Sequence, residues 1–148
     1  EASLDGAQAN AGAGTGSPGT GSATMTLDDT SNLFSWDISW AGLLTPVFIG
    51  HFHGPALPTQ NAGVQVSLGP VSGASGSTMG SAVISDLQAA DLLGGLWYIN
   101  LHTATWPGGE IRGQVLVSQD PPGVPAPGIL ALLGLGLAGI GLSRRRSH

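Results

Sequence analysis

Along much of the chain apolar and polar side chains alternate one for one, the period of a strand with one buried face. The pattern is clearest over 32–40, where Phe34, Trp36, Ile38 and Trp40 share one face and Ser35, Asp37 and Ser39 the other. Over 22–28, Ala23, Met25 and Leu27 oppose Thr24, Thr26 and Asp28. Further strands are predicted at 2–8, 47–53, 63–68, 77–84, 97–103 and 110–118, with Gly-, Pro- and Ser-rich turns between them. A mobile Gly/Ala/Ser/Thr loop is expected over 10–21. The alternation breaks at Ser85, which caps a short helix whose capping box is completed by Gln88. Leu87, Leu92 and Leu93 are expected to anchor that helix, and Gly94-Gly95 ends it. About eight strands and one short helix predict an all-β fold, an antiparallel β-sandwich or an incomplete barrel.

The pattern changes again at 128. The run GILALLGLGLAGIGL over 128–142 carries no charge and no hydrogen-bonding side chain, and Arg144, Arg145 and Arg146 follow it. Extended back to Val124, the apolar stretch makes a helix of about 28 Å, close to one hydrocarbon core. The basic cluster fits a cytoplasmic stop, so the membrane is an expected partner through this C-terminal hydrophobic helix. The chain thus divides into a β domain (1–118), a Pro-rich linker (119–127) and an apolar tail with a basic end (128–148). Glu1 opens directly on the first strand, and we expect a secretory signal to have been removed ahead of it.

Charge sharpens this picture. Of 148 residues only 9% are charged and Lys is absent; outside the Arg cluster one Arg, Arg112, faces nine carboxylates, a formal charge of −8. Such a body repels phosphate backbones, which argues against nucleic acid as a partner. Cysteine is absent, which excludes disulfides, thiolate metal sites and a Cys nucleophile. There is no nucleophile elbow, phosphate loop or carboxylate pair either, so an enzyme is not expected.

Strand parity collects the remaining chemistry. His51 and His53 stand at i and i+2, so both leave one face while Phe52 leaves the other. Over 97–103, Trp97, Ile99 and Leu101 oppose Tyr98, Asn100 and His102; over 110–118, Ile111, Val115 and Val117 oppose Glu110, Arg112 and Gln114. If these strands are neighbours, His51, His53, His102 and Glu110 converge away from the core. Three imidazoles suit a zinc or copper ion, and a site without thiolate favours Cu²⁺ slightly. Glu110 would be a fourth ligand or would orient a ligating His. Arg112 is expected to pair with Glu110 or Asp37, which would take Glu110 out of direct ligation. Asn100 belongs to the same supporting set. The plainer alternative is a solvated polar face with ordinary surface histidines. Low charge and Gly/Ser/Thr richness also suit a structural or adhesive module that self-associates as a homo-oligomer through a sheet edge.

Three segments, ASLDGAQ (2–8), HFHGPA (51–56) and LLGGLWYINLHTATWPGGEIRGQ (92–114), resemble the CHRD domain, the module repeated in chordin. The resemblance runs from about Ala2 to Val117, most of the exported chain, and implies an all-β extracellular fold. In animals that module is linked with growth-factor binding, whereas bacterial copies largely lack an assigned function. The His and Glu positions singled out above belong to the family's motif. The tail VPAPGILALLGLGLAGIGLSRRR, with Val124, Pro125 and Pro127 as its sorting motif, resembles the PEP-CTERM signal. Ala126 stands where that signal usually has Glu. The resemblance implies a bacterial protein processed by an exosortase-like membrane protease and carried to the cell surface or extracellular matrix, membrane-anchored at least transiently.

Overall fold

A computed structural model describes residues 1–118. Eight strands form: β1 (Ala2–Asp5), β2 (Thr20–Asp28), β3 (Leu33–Ala41), β4 (Val47–His53), β5 (Val64–Ser67), β6 (Gly76–Val83), β7 (Tyr98–Thr103) and β8 (Ile111–Gln114). One helix, α1 (Asp86–Leu93), lies between β6 and β7. Every strand pairing is antiparallel. The hydrogen-bonded order is β5-β4-β7-β8-β1-β2-β3-β6, a single continuous sheet. Of the two architectures expected, this is the incomplete barrel: one sheet curls around one core, and its end strands β5 and β6 do not pair. A sandwich would need two separately hydrogen-bonded sheets.

The core follows from the alternation. Phe34, Trp36, Ile38 and Trp40 of β3 are all buried, as are Phe52 of β4 and Ile99 and Leu101 of β7. Phe34 meets Phe52 edge-on at 4.9 Å between ring centroids and Trp97 at 5.7 Å, so residues from distant parts of the sheet order touch.

Three local expectations need correction. The 10–21 stretch is tied down rather than free, because Thr15 Oγ1 donates to the Glu110 carbonyl (2.8 Å) and Ser17 Oγ to the Glu110 carboxylate (2.6 Å). The helix has its predicted capping box, but Ala89 and Leu92 are its buried residues, while Leu87 and Leu93 are exposed. The last strand ends at Gln114, so Val115 is buried but Val117 lies beyond the pairing and is exposed. The tail beyond 118, on which the expected apolar helix and Val124, Pro125 and Pro127 fall, lies outside the described residues.

Candidate metal centre

β4, β7 and β8 are consecutive in the sheet, as convergence of their polar residues requires. His51 pairs across the strands with Asn100, and Asn100 in turn with Arg112. Alternation within β7 sends Ile99 and Leu101 into the core and Tyr98, Asn100 and His102 to the opposite face. That face is no open surface. The 54–63 segment folds over it, and Tyr98, Asn100, Arg112 and Gln114 are all buried. Arg112 donates to the Gln60 (2.8 Å) and Leu57 (3.3 Å) carbonyls, and Gln114 Nε2 to the Ala56 carbonyl (2.9 Å). The Tyr98 hydroxyl accepts from the Ala62 amide at 3.1 Å. The segment begins at Gly54, where an added Cβ would meet Trp97 Cδ1 at 2.5 Å; only glycine lets the chain turn this close to the core indole.

His51, His53 and His102 come together at the margin of this covered face. Their ring centroids stand 5.4 to 5.8 Å apart, and one ring nitrogen from each lies within 4.8 Å of the others. His53 is buried; His51 and His102 are half-buried. His53 Nδ1 lies 3.0 Å from the Ala62 carbonyl, and His102 Nδ1 lies 2.9 Å from the Pro107 carbonyl. A carbonyl only accepts, so each Nδ1 carries the hydrogen and each neutral ring presents its lone pair at Nε2. Those two Nε2 atoms, and Nδ1 of His51, are buried without a hydrogen-bond partner. Leaving such a group unpaired costs about 1–3 kcal/mol. Each ring of the cluster thus keeps one buried nitrogen that no protein group satisfies. Two nitrogens on one tetrahedral ion stand about 3.3 Å apart, so the rings would have to close in to share one ion.

The electrostatics favour the neutral, ligating form of His51 and His53. Burial pushes His51 and His53 below the ordinary value of 6.5, and His102 beside them lowers both further. For His53 the hydrogen bond to Ala62 works the other way, while His51 and Arg112 add to the lowering.

The supporting residues are held by the turn after β7. Asn100 Nδ2 donates to the Gly108 carbonyl at 2.9 Å, fixing the turn whose Pro107 carbonyl orients His102. Gly109 has φ +116°, and a Cβ there would run into the Asn100 carboxamide.

Glu110 does not join the three histidines. Just past Gly109 and ahead of β8, its carboxylate turns to the face of Thr103 rather than that of His102. One oxygen accepts from Ser17 Oγ (2.6 Å) and the Leu44 amide (2.6 Å), the other from Thr103 Oγ1 (2.6 Å). Fully buried and so occupied, it ties two loops to the end of β7. Among the described residues the cluster is His51, His53 and His102, with no carboxylate.

The expected ion pairs of Arg112 do not form either. Asp37 on β3 pairs with Thr24 and Met79, and β1 and β2 separate β3 from β8. The hydrogen bonds of Arg112 end on neutral oxygens, and its guanidinium lies over the Tyr98 ring. Asp5 faces Arg112 across the β1–β8 pairing but gives its carboxylate to Gln8. Sequence reading missed Tyr98 and the covering segment. Tyr98 stacks on His53, with centroids 5.0 Å apart and planes 8° from parallel, and so sets that ring's plane. Its place in the polar half of the 97–103 alternation was the available signal.

Two family models match the sequence: the CHRD domain over residues 1–115, and the PEP-CTERM protein-sorting motif over residues 123–146. No curated protein matches the chain. No solved structure matches it either. The sorting motif supports export to the cell surface and implies membrane anchoring and exosortase processing.

Proposed function

Because this chain belongs to the CHRD domain family, and its tail matches a sorting signal, we propose that it is an exported surface domain that binds a transition metal, copper or zinc, through His51, His53 and His102. One observation carries this reading: three imidazoles converge, each with a buried ring nitrogen that has no partner, and in two of them a backbone carbonyl fixes the lone pair at Nε2. The two half-buried rings keep the ion within reach of solvent and of exchange. The domain acts by binding rather than by catalysis, since its sequence offers no acid–base pair or nucleophile to accompany the ion. Calorimetric titration of the full chain with Cu²⁺ and with Zn²⁺ tests the reading. Saturable binding of one ion per chain is expected, and equal binding by the His51→Ala, His53→Ala, His102→Ala triple variant would refute it.

A second reading, a self-associating matrix module without a metal, draws on the unpaired end strands β5 and β6 and on exposed Met79 and Val83 of β6. Sedimentation at high concentration separates the two, because this reading requires assembly in metal-free buffer.

A further inference from the structure

The donor set and its surroundings also bear on the charge of the ion. Resting on the metal-binding reading, we propose that the site holds copper as the monovalent ion, Cu(I), in preference to Cu(II) or Zn(II), because its donors are all neutral and a buried cation stands one ring away.

Three features of the site support this. The candidate ligands are three imidazoles, which bind a metal through an uncharged nitrogen, so the protein would cancel none of the ion's charge. Glu110, the one acid whose sequence position would have supplied an anionic donor, is spent on Ser17, Leu44 and Thr103.

The second feature is the stack. His53 lies parallel to Tyr98, and the guanidinium carbon of Arg112 sits 3.5 Å from the centre of the Tyr98 ring. Tyr98 belongs to β7, which lies between β4 with His53 and β8 with Arg112, so the cation faces the cluster through a single aromatic ring. Asp5, on β1, lies on the far side of Arg112 from the histidines. Each added unit of ionic charge is repelled by the guanidinium, and burial weakens the screening.

The third feature is ligand number. Cu(I) has a filled d shell and is content with three donors. Cu(II) favours a tetragonal set and Zn(II) a tetrahedral one, so each would have to take the remainder from water.

Competition titrations of the full chain test this: Cu(I) under anaerobic conditions against bicinchoninate, and Cu(II) and Zn(II) against chelators of known affinity. Cu(I) is expected to bind at least tenfold more tightly than either divalent ion. Each tenfold preference over Cu(II) raises the potential of the bound copper by about 59 mV. A His102→Asp variant, which places an anionic donor in the cluster, should cut the Cu(I)-over-Cu(II) ratio at least tenfold. Divalent ions bound as tightly as Cu(I) by the native chain would overturn the valence preference and leave the metal-binding reading standing. An unchanged ratio in His102→Asp would overturn its electrostatic basis. If the native chain holds no ion better than the triple alanine variant, both readings fall. The native-chain measurements decide the question even if the Asp variant does not fold.

Discussion

Arg112 lies over Tyr98, its guanidinium carbon 3.5 Å from the ring centre, and directs its nitrogens at the carbonyls of a segment more than fifty residues away in sequence. A planar fork suits this double task, resting on an aromatic face while donating in its own plane. Arg112→Ala leaves the Leu57 and Gln60 carbonyls unpaired and is expected to cost about 3 kcal/mol. Limited proteolysis should then cut within 54–63, where the native chain resists. Arg112→Lys should recover only part of the loss, since an ammonium neither stacks nor spans both carbonyls. An Arg112→Ala chain as resistant as the native one would show that other contacts hold the segment.

Glu110 offers a sharper separation of roles. Glu110→Gln keeps the shape but removes the charge from three hydrogen bonds, and a loss of about 1.5–3 kcal/mol in urea unfolding is expected. Metal affinity should stay within about twofold of native, because the carboxylate faces Thr103 and not the histidines. A large drop in affinity without loss of stability would return Glu110 to the metal site.

The same residue sets an acid limb. Burial alone would raise the Glu110 carboxyl, but the hydrogen bonds from Ser17, Thr103 and the Leu44 amide outweigh it and hold the group below its ordinary 4.5. A depressed folded value means that the unfolded chain binds the proton more readily, so protonation favours unfolding. Glu110 therefore contributes fully above about pH 4.5. That contribution should fall away as pH drops through the depressed value. Unfolding midpoints measured from pH 7 to pH 3 should decline less steeply in Glu110→Gln than in the native chain.

Gly109 couples the turn to the site. At φ +116° any side chain is strained, and the added carbon of Gly109→Ala would also displace the Asn100 carboxamide. Strain of this kind costs about 1–3 kcal/mol. Displacing Asn100 frees the Gly108 carbonyl and the turn that orients His102, so metal affinity should fall at least tenfold even in chains that remain folded by circular dichroism. Native affinity in a folded Gly109→Ala chain would show that the turn does not position His102.

Strict alternation made much of this legible in advance. Phe34, Trp36, Ile38 and Trp40 are buried together because a strand with one wet face allows nothing else, and the same parity placed His51, His53 and His102 on one side. Parity failed where the backbone leaves the strand. Glu110 shares the parity of Arg112, but β8 begins only at Ile111, and the turn at Gly109 sends the carboxylate elsewhere. The partners of Arg112 were hidden for another reason. They are main-chain carbonyls of an aperiodic segment, and every residue carries one. In α1 three leucines were read as anchors, but eight residues present too narrow a face, and Ala89 took the place next to Leu92.

β7 is shared property: Trp97, Ile99 and Leu101 near or within it fill the core, while the residues between them build the histidine face. Sliding this strand by one position against β4 would exchange the two sets, carrying Asn100 and His102 inward and the aliphatic residues out. The protein therefore has no route to a misaligned barrel that keeps its chelating face, nor to an intact barrel that has lost it by slippage. On the proposed metal-binding reading, uptake of the ion would report correct assembly, passed only by chains whose strands have come to rest in the right frame.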